Sequence, residues 1–81
     1  MSHFDLDIVS PDQKLYDGKV RSVQLPGTEG SFEVLIDHAP LIATLQQGIV
    51  IVKDEAGQTH EIVIRGGIIE VLNNHVVVLA S

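Results

Sequence analysis

Four histidines, His3, His38, His60 and His75, and eleven acidic side chains are the groups in this chain of 81 residues best suited to chemistry, as metal ligands or as acid–base catalysts. No two of the histidines stand at a ligand spacing such as H-x-H or H-x-x-x-H. A metal centre would have to be assembled by the fold from scattered strands, and none is expected. His60 and His75 fall beside turn-forming residues, which predicts exposed polar side chains at both. Ser10, Ser22, Ser31 and Ser81 are available nucleophiles, but no spacing places a histidine and a carboxylate to activate one. The chain has no G-x-x-x-x-G-K-[ST] run, no G-x-G-x-x-G after a strand and no G-x-S-x-G elbow. No catalytic residue, cofactor or metal is assigned.

Such residues need elements to position them, and composition bounds what those elements can be. A chain this short makes one domain that buries roughly 60–65% of its unfolded surface, with no cysteine to staple it. That fits a reducing compartment. Hydrophobic residues are 44% of the chain but aromatic ones only 4%, so the apolar mass is aliphatic and largely β-branched, which favours pleated, half-buried surfaces. The longest apolar runs, Ile49 to Val52 and Val76 to Ala80, fall far short of the ~20 residues of a membrane span. The opening Met1-Ser2-His3-Phe4-Asp5 has neither a basic nor an apolar region of the kind that directs export. The five basic residues, Lys14, Lys19, Arg21, Lys53 and Arg65, never cluster, and the net charge is −6, which argues against a nucleic-acid partner.

Phe4, Leu6 and Ile8 alternate with Asp5 and Asp7, predicting a first strand over residues 3–9 with one wet and one dry face. Lys14 to Leu25 reads as extended but irregular, because Val20 and Val23 are three apart and Gly18 interrupts, so a bulge or kink is expected there. Pro26 to Gly30 reads as a loop or tight turn. Phe32 and Val34 restart the alternation until Asp37-His38-Ala39-Pro40 breaks it. Leu41, Ile42 and Leu45 have helical spacing, but the stretch to Gln47 is too short for a helix and is assigned as extended. Ile49–Lys53 and Thr59–Arg65 flank a five-residue hairpin loop, Asp54 to Gln58. Gly66-Gly67 breaks the path before Ile68–Leu72, and Asn73-Asn74 turns into His75–Leu79. Short strands with turn signals between them predict an all-β antiparallel sandwich or barrel, and pattern alone does not separate the two.

The segment from Pro26 to Leu41, Pro-Gly-Thr-Glu-Gly-Ser-Phe-Glu-Val-Leu-Ile-Asp-His-Ala-Pro-Leu, carries more punctuation and polarity than a hairpin needs. It resembles the signature of the epsilon subunit of F-type ATP synthases, in which a P-G-x-E-G loop leads through a strand to an H-A-P-L corner. Leu6-Asp7-Ile8-Val9-Ser10-Pro11, Gln47-Gly48, Gly66-Gly67-Ile68-Ile69-Glu70-Val71 and the closing Val76 to Ala80 match in the same order. The chain departs from the pattern at Glu33, where glycine is usual, and at Ile36-Asp37, which replaces a common Pro-Gly.

The resemblance implies an antiparallel β-sandwich of two roughly five-stranded sheets filling residues 1–81. It implies a non-catalytic rotor subunit, one copy per complex and a monomer when isolated, that joins the gamma subunit to the c-subunit ring of a proton- or sodium-driven synthase. The expected location is peripheral, on the cytoplasmic face of a bacterial inner membrane, without insertion into it. Residues Thr28, Glu29, Gly30, Ser31 and Glu33 match the ring-facing loop, and Ser10, His38, Ala39, Pro40 and Thr44 match the side facing gamma. Many members carry two further C-terminal helices that inhibit ATP hydrolysis and in some bind ATP. The 81 residues encode no such helices, so coupling without that brake, and no ATP binding, are expected. The competing readings are a free-standing ligand-binding sandwich, for which Phe4, Tyr16 and Phe32 are the only aromatics to line a pocket, and a metal-dependent enzyme built from the scattered histidines and carboxylates.

Overall fold

The computed structural model describes residues 3–81, so that Met1-Ser2, part of the N-terminus expected to carry no export signal, lies outside the described residues. The chain runs through β1 (Phe4–Val9), β2 (Lys14–Gly27), β3 (Gly30–Val34), β4 (Leu41–Leu45), β5 (Gly48–Asp54), β6 (Thr59–Ile64), β7 (Gly67–Leu72) and β8 (His75–Ala80). The described residues form strands and turns only, with no helix long and apolar enough to cross a membrane.

β2, at 14 residues, belongs to both layers of the fold. Its first half pairs with β1 and continues through β8 and β7 to β4, while its second half pairs with β3 on one side and with β5 and then β6 on the other. The first layer closes on itself. Ile8 lies opposite Tyr16 and Val78, Val78 opposite Ile69, and Ile69 opposite Ala43, after which β4 returns to β2 at Gly27 rather than at Tyr16. A circuit that returns that far along the same strand means steeply tilted strands, as barrel closure requires. The molecule is thus a β-sandwich with one edge sealed, and β1 beside β8 is its parallel pairing.

The expected bulge lies at Arg21. Val20 pairs with Asp54 and Ser22 with Lys53, leaving Arg21 as the extra residue. This shift lets Val20 and Val23, three apart, both point inward, followed by Leu25. The core between the layers is almost wholly aliphatic: Leu6, Ile8, Val20, Val23, Leu25, Val50, Val52, Ile64, Ile69, Val76 and Val78 are essentially inaccessible, with Phe4 at one margin. Leu41 to Leu45 is extended as expected, with Leu45 buried and Ile42 outside.

Three turns are tighter than their composition suggests. Pro26 and Gly27 remain in β2 and Gly30 opens β3, so only Thr28-Glu29 forms the turn, and Gly30 at φ 127° returns the chain to the ladder. Pro26 fits because the ladder uses its carbonyl, which accepts the Gln46 N–H at 2.8 Å. Asp54 likewise stays in β5, shortening the next hairpin loop to residues 55–58. Gly67 belongs to β7 and lies opposite both Leu45 and Ala80.

Candidate functional site

Glu29 stands at the exposed tip of the β2–β3 hairpin, and the hairpin is fastened to β4 immediately behind it. The Thr28 N–H donates to the Thr44 carbonyl at 3.0 Å, and the Thr28 and Thr44 hydroxyls share a hydrogen bond of 2.7 Å. Gly30 completes the tip, Ser31 Oγ accepts from Gln24 Nε2 at 3.3 Å, and Glu33 is exposed opposite Gln24 on the ladder. The five residues expected to face the ring therefore share one hairpin.

The residues expected to face gamma are more dispersed in sequence. His38, Ala39 and Pro40 form the corner after β3, where the Leu35 carbonyl accepts the His38 N–H at 3.3 Å across Ile36-Asp37. His38 Nδ1 donates to the Ala39 carbonyl at 2.7 Å, since a carbonyl can only accept. In the neutral ring this leaves Nε2 as an acceptor. Thr44 lies on the outer side of β4. Ser10 follows β1 in a small turn, its hydroxyl donating to the Gln13 carbonyl at 3.1 Å.

Thr28, Glu29 and Gly30 on one side, and His38 and Thr44 on the other, line the same groove of about 670 Å³, floored by Phe32, Leu41, Ala43 and Ile68. The fold thus brings the hairpin tip beside His38 and Thr44, while Ser31, Glu33, Ser10, Ala39 and Pro40 do not line this groove. The groove opens onto the outer face of β4, β7 and β8, where Thr44, Ile68, Leu79 and Val9 form one transverse row. The next row runs Ile42, Glu70, Val77 and Asp7. Ile42 is 73% exposed, Ile68 47% and Leu79 54%, a connected aliphatic surface on which Glu70 is the one central charge. Sequence reading missed these residues, because Ile42, Ile68 and Leu79 carry the same signal as core positions. The available clue was that β8 is apolar at both alternating sets of positions from Val76 to Ala80, and that β4 and β7 carry Ile42, Ile68 and Leu72 on the face opposite their core residues.

Apart from Glu70, the ionisable groups lie at the margins of this face, with Asp7 at the end of its second row. His75 Nε2 donates to Asp7 Oδ2 at 2.9 Å, and His60 Nε2 to Asp54 Oδ2 at 2.8 Å. The two histidines read as merely exposed polar residues therefore each hold a carboxylate. The His60 bond, helped by the Gln58 and Ala56 backbone amides, holds the Asp54 carboxyl below its ordinary value of 3.8, and the His75 bond lowers Asp7 in the same way. A lowered folded value stabilises the fold above the unfolded value, and the contribution is lost as pH falls through the folded one. Urea midpoints of the wild-type chain should therefore drop as pH goes below about 3.8. The stability difference between the wild type and Asp54→Asn should shrink over that same acid window, and a constant difference would contradict this account. Among the described residues, no three histidine or acidic side chains converge in a way that could hold a metal. No serine is hydrogen-bonded to a histidine there.

Residues 3–81 match the family model described as ATP synthase, Delta/Epsilon chain, beta-sandwich domain. The chain is 44% identical over its full length to the ATP synthase epsilon chain of Rhodopseudomonas palustris (strain BisB5), covering 59% of that protein. It is 43% identical to the epsilon chain of Desulfatibacillum aliphaticivorans, over 94% of this chain and 54% of the relative. The chain thus spans somewhat more than half the length of these curated relatives. A chain in the Euglena gracilis mitochondrial ATP synthase, in a structure of OSCP, F1 and c-ring, superposes with a TM-score of 0.90 at 25% identity. That match covers 96% of this chain and 50% of the other. A chain of the Tetrahymena thermophila central stalk and c-ring shares the fold, with a TM-score of 0.77 at 13% identity, covering 94% of this chain and 61% of the other.

Proposed function

The chain belongs to the beta-sandwich domain family of the ATP synthase delta and epsilon chains, and from that premise we propose that it is the non-catalytic coupling body of a rotor stalk, gripping gamma with its β4–β7–β8 face and the c-ring with its β2–β3 hairpin. The observation that carries this reading is the aliphatic face itself. Monomeric proteins rarely leave a large contiguous apolar surface uncovered, and here the exposed Ile42 and Ile68 line one groove with Thr44 and His38, with Leu79 opposite Ile68 on β8. Ser10 reaches the same region through Val9, which lies opposite Leu79.

Torque transmission asks for rigidity between the two grips. The sealed barrel edge supplies it, because Thr28 behind the ring-facing tip is bonded directly to Thr44 on the gamma-facing strand. Force entering at Glu29 reaches the gamma face through one hydroxyl bridge and a short backbone ladder. ATP chemistry then belongs to other subunits, and the protein sits peripherally at the cytoplasmic face of a bacterial inner membrane, driven by proton or sodium flow. The described residues contain no helix that could act as an inhibitory element.

The groove volume falls within the range of small-molecule sites, but it is continuous with an exposed sheet face, which suits a protein partner better. Glu29 tests the ring contact. An exposed carboxylate at the tip contributes mainly by electrostatic orientation, so Glu29→Lys should weaken binding to purified c-ring about five- to tenfold at low salt and progressively less as salt rises. Equal affinity of the two proteins at low salt would contradict the assignment.

A further inference from the structure

We propose that Asn74, on the β7–β8 turn, is the positioning residue that holds the His38 corner in its binding shape, acting through Asp37. The inference rests on the reading of that corner as gamma-facing. Residues 35–38 form a turn whose third residue, Asp37, takes φ 62°. Turns of this kind favour glycine at that position and proline before it, whereas this chain has Ile36-Asp37. An aspartate tolerates a left-handed backbone better than most residues, but it still needs support.

Asn74 provides that support from 37 residues away. Its Oδ1 accepts the Asp37 N–H at 2.6 Å, and its Nδ2 donates to Asp37 Oδ1 at 3.0 Å. Its own backbone is left-handed too, at φ 60°, within the Asn73-Asn74 turn. The Asn74 carbonyl meanwhile accepts the Asp5 N–H at 3.0 Å, anchoring the same residue to β1. One asparagine therefore ties the barrel wall to the corner that carries His38, Ala39 and Pro40. The pairing is reciprocal and specific. Two carboxylates, or two groups unable to donate, would not reproduce it.

The test uses substitutions that all tolerate positive φ. Asn74→Asp sets a carboxylate against Asp37, and should weaken binding to isolated gamma about tenfold, the scale of one lost bond plus a like-charge contact. Adding Asp37→Asn restores a donor–acceptor pair of reversed polarity and should bring affinity back to within about threefold of the wild type. Adding Asp37→Gly instead should also recover affinity, since glycine needs no latch. A second readout does not involve gamma: amide exchange at Asp37 and His38 should be faster in Asn74→Asp and slow again with Asp37→Asn. If the wild-type chain does not bind gamma, the stalk reading fails while the exchange measurement still decides the latch. Wild-type exchange rates in Asn74→Asp, or loss of binding that neither second substitution rescues, would overturn the inference.

Discussion

Lysine in place of Ile42 and Ile68 together is expected to lower affinity for gamma at least about a hundredfold, the scale reached when aliphatic anchors at an interface centre are replaced by charge. The folded chain should hardly notice. Both side chains are solvent-exposed, the ammonium introduced by Ile42→Lys would lie opposite Glu70 on the neighbouring strand, and surface changes of this kind stay within about 0.5 kcal/mol. Val63→Lys on β6, 72% exposed and away from the proposed interface, serves as the matched control and should leave binding unchanged. Gamma binding by the double variant at wild-type strength would remove the β4–β7–β8 face from the interface.

Alanine at Gly67 is expected to be the most damaging single substitution for the fold. Gly67 opens β7 between Leu45 and Ala80, with φ 148°, where a side chain is strained. A methyl group there would overlap the Leu79 carbonyl oxygen and press within 3.1 Å of the Ala80 Cα. Neither neighbour is a flexible side chain that could swing aside, so the ladder itself must shift. The cost should be about 3 kcal/mol or more. In a domain this small that lowers the melting temperature by more than about 12 °C. Urea unfolding within about 1 kcal/mol of wild type would show that the strand end is softer than its contacts indicate.

The alternation of Phe4, Leu6 and Ile8 placed β1, and the broken spacing of Val20 and Val23 announced the bulge that the structure locates at Arg21. These were legible because burial imposes a period of two. The limits of the turns were not. Pro26, Gly27 and Gly30 look like loop residues by type, yet the ladder accommodates all three, since a proline can lend its carbonyl without its missing N–H. The site was legible in part. The hairpin tip and the His38 corner could be picked out as segments, but their shared groove depends on β2 meeting β4 at Gly27, a closure with no local signature. Ile42 misled for a simpler reason. An exposed aliphatic residue looks the same in sequence as a buried one, and Ile42 lent the stretch from Leu41 a helical spacing although its shortness rightly assigned it as extended. The bonds of Asn74 to Asp37 and of His75 to Asp7 join residues far apart in the chain, and only register brings them together.

The central claim is tested most directly by titrating the purified 81-residue chain into isolated gamma in a calorimeter, at low and at moderate salt. The account predicts a one-to-one complex whose affinity changes little with salt, because its centre is aliphatic. Absence of heat and of a co-migrating complex at both salt concentrations, with both proteins folded, would contradict it.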